Sequence, residues 1–205
     1  MQIKIIGAGL AGCEAALWLA DHGVQVDLYE QKPVKFSPAH KSAGFAELIC
    51  SNSLKAERPD SASGLLKIEM RMMGSHLLDA AETARVAAGG ALAVDRDVFS
   101  TAVTEMVEKN PNITVHREEV TALDESVPVL VASGPLTEGA LAEQIAALTG
   151  DTGLLWSNEV VRNRAAILSS NLERTGERNT VVSSVYPEML AEKLGGDFDK
   201  VLVDA

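Results

Sequence analysis

Three glycines carry the first recognisable chemistry of the chain. Gly7, Gly9 and Gly12 stand in the spacing G-x-G-x-x-G, directly after Gln2 to Ile6, a stretch that alternates and then runs apolar as a buried strand does. Each glycine has a separate physical task. Gly7 permits a tight turn, Gly9 lets a pyrophosphate approach the backbone, and Gly12 lets the next helix pack closely on the strand. The helix that follows offers free N–H groups and the positive end of its dipole to phosphates. Glu30 lies roughly 20 residues further on, where an acid accepts hydrogen bonds from a ribose. An acid there favours FAD or NAD over NADP, whose 2′-phosphate it would repel. The candidate cofactor residues are therefore Gly7, Ala8, Gly9, Leu10, Ala11, Gly12 and Glu30. The competing reading is a glycine-rich turn in an ordinary βαβ unit.

A second group of reactive side chains falls between Phe36 and Ser53: His40, Lys41, Glu47, Cys50 and Asn52. Long connections in small domains are usually functional or disordered. Phe36, Phe45, Leu48 and Ile49 argue that this one is ordered. Cys50 is the candidate catalytic thiol, weighed against the role of a small buried hydrophobe. Cys13, just after Gly12, reads as packing. His40 is an acid or base candidate, weighed against a structural role. A third group is Ala132-Ser133-Gly134 at the end of an apolar run. In flavoproteins with two dinucleotide sites, a strand ending in A-[ST]-G returns beside the first nucleotide unit. Ser133 and Gly134 join the candidate site on that basis, against the alternative of a plain turn.

The elements that must position these groups follow from periodicity. The opening reads as a strand over Gln2–Ile6, a helix over Ala15–Asp21 stopped by Gly23, and a strand over Val24–Tyr29. Ser63 to Gly74 reads as a helix whose Leu65, Leu66, Ile68, Met70, Met72 and Met73 supply more than one apolar face, with the methionines as core filler. Ser75 to Ala84 continues helical. Gly89-Gly90 suits a turn or a close approach to a ligand. A helix follows over Val98–Lys109, then strands over Ile113–His116, Glu118–Leu123 and Pro128–Ala132, and a helix over Leu136–Leu148. Beyond that come a strand (Leu154–Ser157), a helix (Val160–Arg174), a strand (Thr180–Val185), a short helix (Glu188–Leu194) and a strand (Lys200–Asp204). Strands and helices alternating in this way build a parallel sheet in an α/β fold.

Composition narrows the classes. The 205 residues carry a net charge of −11, which argues against a generally basic nucleic-acid surface. Hydrophobic residues make up 46% and mean hydropathy is +0.08, enough to bury a core. Two cysteines without metal-type spacing argue against a metal site and a disulfide scaffold, and for a reducing compartment. No apolar run approaches a membrane span, and the N-terminus reads as a strand rather than a leader. The expectation is a soluble cytoplasmic protein without membrane or metal partners.

Several segments occur in a recognisable order: GAGLAGCEAA, PAH, FAELICSNSLK, GLLKIEM, GGALAVDRDVFS, EEVTAL and SGPLT. Together, from Met1 to about Leu148, they resemble the flavin- and folate-dependent tRNA (uracil-5-)-methyltransferase family, TrmFO. FAELICSNS is the most specific of them. The glucose-inhibited division family of flavoproteins shares the first strand and glycine loop. The resemblance implies a methylenetetrahydrofolate-tRNA-(uracil-5-)-methyltransferase. Such an enzyme uses FAD, takes its methylene group from methylenetetrahydrofolate, draws on NAD(P)H as reductant, and acts on a T-loop uridine of tRNA. It carries over Gly7, Gly9, Gly12 and Glu30 as FAD contacts and Cys50 as the thiol near the flavin. A second cysteine, further along in that family and beyond the end of this chain, is its expected uracil nucleophile.

From about Gly153 the segments LLWSNEVVRNRAAILSSNLERTGERN, TVVSS and FDKVLVDA resemble the Sun-type rRNA (cytosine-5-)-methyltransferases. That resemblance implies Glu159 on the ribose of S-adenosylmethionine and Asp204 at the start of an active-site loop. The glycine-rich cofactor loop and the Pro-Cys of that family are not in this sequence. The expected architecture is a Rossmann-like FAD/NAD(P)-binding domain over 1–149, then a partial S-adenosylmethionine-methyltransferase-like βαβ segment over 150–205. Two partial domains meeting near Thr149 to Gly153 suggest a fusion or a fragment. Open sheet edges then imply marginal stability and weak flavin binding. Three functions stay open: the uridine methyltransferase, a non-catalytic FAD-binding fragment, and an S-adenosylmethionine-dependent RNA cytosine-C5 methyltransferase.

Overall fold

In the computed structural model, β1 (Gln2–Ile6) runs into a glycine turn, α1 (Leu10–Asp21) and β2 (Gln25–Tyr29). The structure describes residues 2–124, 126–134, 137–147, 155–158, 165–166, 168–170 and 180–184. The chain divides into two compact units, Met1–Thr137 and Glu138–Val203.

The first unit is built on a parallel sheet in the order β6-β2-β1-β7, where β6 is Ile113–His116 and β7 is Val129–Val131. Ile5, Val26, Leu28 and Ile113 turn one face of this sheet to the core. They meet Cys13, Ala16, Leu17 and Ala20 of α1, and Phe99, Val103 and Val107 of α4 (Arg96–Glu108). Small residues on the inner side of α1 let it lie close to β1 and β2. Asp95 caps α4 by accepting the N–H groups of Asp97 and Val98 at 3.0 Å each.

Between β2 and α4 the chain makes a second, antiparallel sheet in the order β3-β5-β4, from β3 (Ser53–Ala56), β4 (Arg85–Val86) and β5 (Ala91–Val94). β4 and β5 are joined across Gly89-Gly90, with Gly89 at φ +61°. α2 (Ala62–Met72) and α3 (His76–Thr83) accompany this sheet. Ser61 and Ser75 cap them through Gly64 N–H and Leu78 N–H. Glu14 of α1 reaches the same end of α3, accepting from Ser75 Oγ at 2.7 Å, His76 N at 2.9 Å and Leu77 N at 3.1 Å.

Several expectations are corrected here. The helical run from Ser63 through Ala84 is two helices, because Gly74 adopts φ +77° and Ser75 starts a new cap. Met72 and Met73 are not core filler: they are 84% and 66% exposed, on the same side of α2 as the half-exposed Leu65 and Leu66. The inward residues of α2 are Gly64 and Lys67, the latter donating to the Ala56 and Ser63 carbonyls. No strand forms over 118–123. That segment does not extend the sheet beside β6. Lys35 pairs with Glu119, Lys4 pairs with Asp124, and Val120 and Ala122 line a small cavity with Ile6, Tyr29 and Val129. Side-chain ion pairs, in place of a strand ladder, tie this segment to β1 and to the residues after β2.

In the second unit, α5 (Gly139–Ala147) precedes β8 (Leu155–Asn158) and β9 (Thr180–Ser183), which pair in parallel. Residues 165–166 and 168–170 between them are helical. The expected helix over 188–194 and strand over 200–204 lie outside the described residues, as do Glu159 and Asp204.

Candidate cofactor site

The glycine loop is held by its own strands. Gly7 takes φ +104°, and a Cβ on it would stand 2.4 Å from the Ala132 carbonyl oxygen. A Cβ on Gly12 would stand 1.8 Å from the Gly7 carbonyl oxygen. These two glycines are required by close packing within the protein. Gly9 differs: a Cβ there would meet nothing within 4 Å. The space above Gly9 is open on the protein side, at the N-cap of α1, where no side chain caps the helix. An anion can approach amide donors there and meet the positive end of the helix dipole.

Glu30 lies at the end of β2, buried beneath the loop. Its Oε2 accepts the Ala8 N–H at 3.0 Å and its Oε1 accepts the Lys32 N–H at 2.9 Å. A carboxylate has about four acceptor positions, so both oxygens keep capacity for a ribose hydroxyl. Ala132 N donates to the Ile6 carbonyl at 2.8 Å, which seats the end of β7 against Gly7. Ser133 and Gly134 thereby come to the same end of the sheet as the loop. Ser133 Oγ and Thr137 Oγ1 are 2.6 Å apart, and Thr137 Oγ1 also donates to the Gly134 carbonyl.

The Phe36–Ser53 connection is ordered around Phe45, Ala46 and Leu48, which are buried. Ala46, at φ +48°, donates its N–H to the Ala8 carbonyl at 2.9 Å, so this segment is bonded directly to the glycine loop. Glu47 organises the stretch before it. Its Oε1 accepts the Lys41 and Ser42 N–H groups at 2.9 and 3.0 Å, and its Oε2 faces the buried Lys32 Nζ at 3.3 Å. Burial acts to raise the Glu47 carboxyl pKa, but the two backbone donors and the Lys32 ammonium outweigh it and hold the group below its ordinary value. Arg117 completes the clamp: it donates to the Lys32 and Ala43 carbonyls, and its guanidinium sits 3.9 Å over the Phe45 ring. None of these roles has a short-range pattern in the sequence. Glu47 within FAELICSNS is the residue that sequence reasoning named without seeing its task.

The two cysteines separate sharply. Cys13 is fully buried, donates from Sγ to the Ala8 carbonyl at 3.3 Å, and has its thiol pushed up to about 12 by burial. Cys50 is exposed at the far end of the FAELICSNS segment, before Asn52 bonds β5 through the Val94 carbonyl and N–H. His40 is held by Ser37 Oγ through its Nδ1. Among the described residues no cluster of His, Cys, Asp or Glu could hold a metal ion, and no helix is long and apolar enough to cross a membrane.

Sheet order, the crossover through α1 and the glycine turn define an α/β protein of the Rossmann-like class. The family model for glucose inhibited division protein A matches residues 2–169, and the chain belongs to that family. The chain is 54% identical over 150 residues to the methylenetetrahydrofolate–tRNA-(uracil-5-)-methyltransferase TrmFO of Desulforamulus reducens, covering 73% of this chain and 34% of that protein. It is 56% identical over 151 residues to the TrmFO of Streptococcus pneumoniae, covering 74% and 34% respectively. The chain thus spans about a third of the length of the curated relatives it matches. Among solved structures, GidA of Aquifex aeolicus shares the fold, with a TM-score of 0.52 and 17% identity over 65% of this chain and 25% of that one.

Proposed function

We propose that this chain is the FAD-binding portion of a methylenetetrahydrofolate-dependent tRNA (uracil-5-)-methyltransferase. One observation carries the reading: Gly9 is open to solvent at the α1 N-cap, between two glycines that the fold itself requires. A cradle of that form suits a pyrophosphate. Gly7, Ala8, Gly9, Leu10, Ala11 and Gly12 would hold that group by their backbone, and Glu30 would take the ribose while bracing Ala8. Ser133 and Gly134 would border the cofactor from the end of β7.

When bound, FAD supplies the reducing equivalents that turn the methylene group of methylenetetrahydrofolate into a methyl group, with NAD(P)H to restore it. The chain's own residues shape the surroundings. Ala46 and Glu47 fix the FAELICSNS segment on the glycine loop, and Cys50 is the accessible thiol on that segment. Similarity to the TrmFO enzymes of Desulforamulus reducens and Streptococcus pneumoniae supports tRNA and folate as partners, and with them the cytoplasm as the place of action. We divide the chain into a Rossmann-like domain over 1–149 and a βαβ segment over 150–205. The finer reading of that segment as methyltransferase-like rests on the parallel β8-β9 pair with helical residues between its strands.

The test is an absorbance spectrum of the purified chain after gel filtration, with and without added FAD. A flavin band eluting with the protein is expected. Its absence in excess FAD would overturn the cofactor assignment. Methylation of tRNA with methylenetetrahydrofolate then separates an active enzyme from a non-catalytic FAD-binding fragment.

A further inference from the structure

A closed circuit of contacts joins Glu30 to the Phe36–Ser53 connection. Glu30 Oε2 accepts the Ala8 N–H at 3.0 Å, and the Ala8 carbonyl accepts the Ala46 N–H at 2.9 Å. Glu47, next along the chain, turns its Oε2 to Lys32 Nζ at 3.3 Å. The Lys32 N–H then returns to Glu30 Oε1 at 2.9 Å. Lys32 is the centre of this circuit. Its Nζ also donates to the Gly44 carbonyl at 2.8 Å, and its own carbonyl accepts from Arg117 at 3.3 Å. The Lys32 side chain is only 4% exposed. An ammonium so far out of water is costly unless its partners stay in place. Lys32 therefore fixes where Gly44 and Glu47 lie relative to Glu30.

The other anchors of this segment do not pass through Lys32. Thr104 Oγ1 accepts the Phe45 N–H at 2.9 Å, and Ser100 Oγ donates to the Phe45 carbonyl at 2.6 Å, both from α4. Cutting the Lys32 link opens the circuit without releasing Phe45 from α4.

We propose that Lys32 is a positioning residue that couples the acid at the ribose position to the segment carrying Cys50. The proposal deepens the functional reading above and rests on it for the ligand at Glu30. A hydroxyl donating to Glu30 holds its carboxylate in one orientation. Ala8 and Lys32, each bonded to that carboxylate, are held with it, and through them the motion of residues 41–47 is narrowed. Cys50 follows on the same segment after Leu48 and Ile49. The coupling is reciprocal: ordering this segment strengthens the hold on the ribose by the same factor. Lys32 is covered by protein, so it acts through the groups it bonds and not on the ligand directly.

The experiment follows backbone hydrogen exchange of the full chain over residues 41–50, with and without saturating FAD, and takes α3 as the reference for global opening. In the wild type, FAD is expected to slow exchange there about tenfold, within the ordinary range of coupling between sites. Lys32→Met keeps a buried stem and removes the ammonium. In this variant FAD is expected to slow exchange by no more than about twofold, and FAD affinity is expected to fall about tenfold. Lys32→Arg restores a donor to Gly44 and Glu47 and is expected to recover most of the response. Glu47→Gln cuts the same link from its other side and decides the matter if Lys32→Met does not fold. A brace without a coupling role would quicken exchange alike in both states. A full response to FAD in Lys32→Met or in Glu47→Gln therefore overturns the proposal. So does bound FAD that leaves wild-type exchange over 41–50 unchanged. Failure of the wild type to bind FAD would instead defeat the functional reading, and the circuit is then judged without cofactor. Glu30→Gln is expected to quicken exchange over 41–50 about tenfold in the wild type and no more than about twofold in Lys32→Met. Equal quickening in both overturns the coupling.

Discussion

The Glu30 carboxylate accepts the Ala8 N–H at 3.0 Å, so the acid at the end of β2 and the glycine loop after β1 are one bonded unit. Glu30 also accepts from Lys32 N, so both carboxylate oxygens face donors. Replacing Glu30 by Gln turns a donor toward one of those N–H groups and leaves it unpaired under cover. The expected cost is about 1–3 kcal/mol of stability. Thermal denaturation measures this cost, and retained flavin after gel filtration tests the proposed ribose contact. Wild-type stability in Glu30→Gln would show that the bonded unit is not a structural brace.

The three glycines are expected to separate folding from binding. Gly9→Ala adds a methyl group in open space, so its melting temperature is expected to match wild type while FAD retention falls. Gly12→Ala places a methyl group 1.8 Å from the Gly7 carbonyl oxygen, and its loss of folded protein is expected to be severe. Circular dichroism melts beside flavin spectra check both. Retained flavin in Gly9→Ala would remove the pyrophosphate from that position.

The Glu47 carboxylate is set below its ordinary value of 4.5 by the Lys41 and Ser42 N–H groups and Lys32, against the opposing effect of burial. With the folded value below the unfolded one, its contribution to stability is fully present above the ordinary value. It is lost as pH falls through the folded value. Glu47→Gln is therefore expected to lose stability at neutral pH and to show a shallower acid limb in a series of melts from about pH 7 down to about pH 3. Glu47→Ala also strips the buried Lys32 of its counter-charge, at about 3 kcal/mol.

Cys50 is exposed and Cys13 is buried with its thiol near 12, so the native chain is expected to react with Ellman's reagent at one thiol and the denatured chain at two. In Cys50→Ser the native count drops to zero. Two fast-reacting thiols in the native state would contradict the packing around α1.

Much of the first unit was legible from residues close together in the chain. The strand, glycine turn, helix and strand from Gln2 to Tyr29 follow from a buried run, three glycines at fixed spacing, and a second run ending on an acid. These depend on local φ/ψ and side-chain period, which nearby residues set. The same is true of the Gly89-Gly90 turn.

Other features were decided by partners far away in the chain. Ser53–Ala56 has no alternation strong enough to mark a strand, and it pairs because β5 offers an edge. Met72 and Met73 fit a core by composition, but Gly64 and Lys67 turn the opposite side of α2 inward, so the methionines face out. Residues 118–123 have a strand-like composition, yet they form no strand and are tied down through the Lys35–Glu119 ion pair. Glu14 on the start of α3, Glu47 on Lys32 and Ser42, and Arg117 on Phe45 are charges whose tasks depend on where the folded chain puts their partners. The sequence alone determined the strand, glycine turn and helix that open the chain, because side-chain period and the backbone freedom of glycine are local properties. Tertiary structure alone decided what holds that segment in place, because hydrogen bonds and ion pairs form between groups that only folding brings within reach.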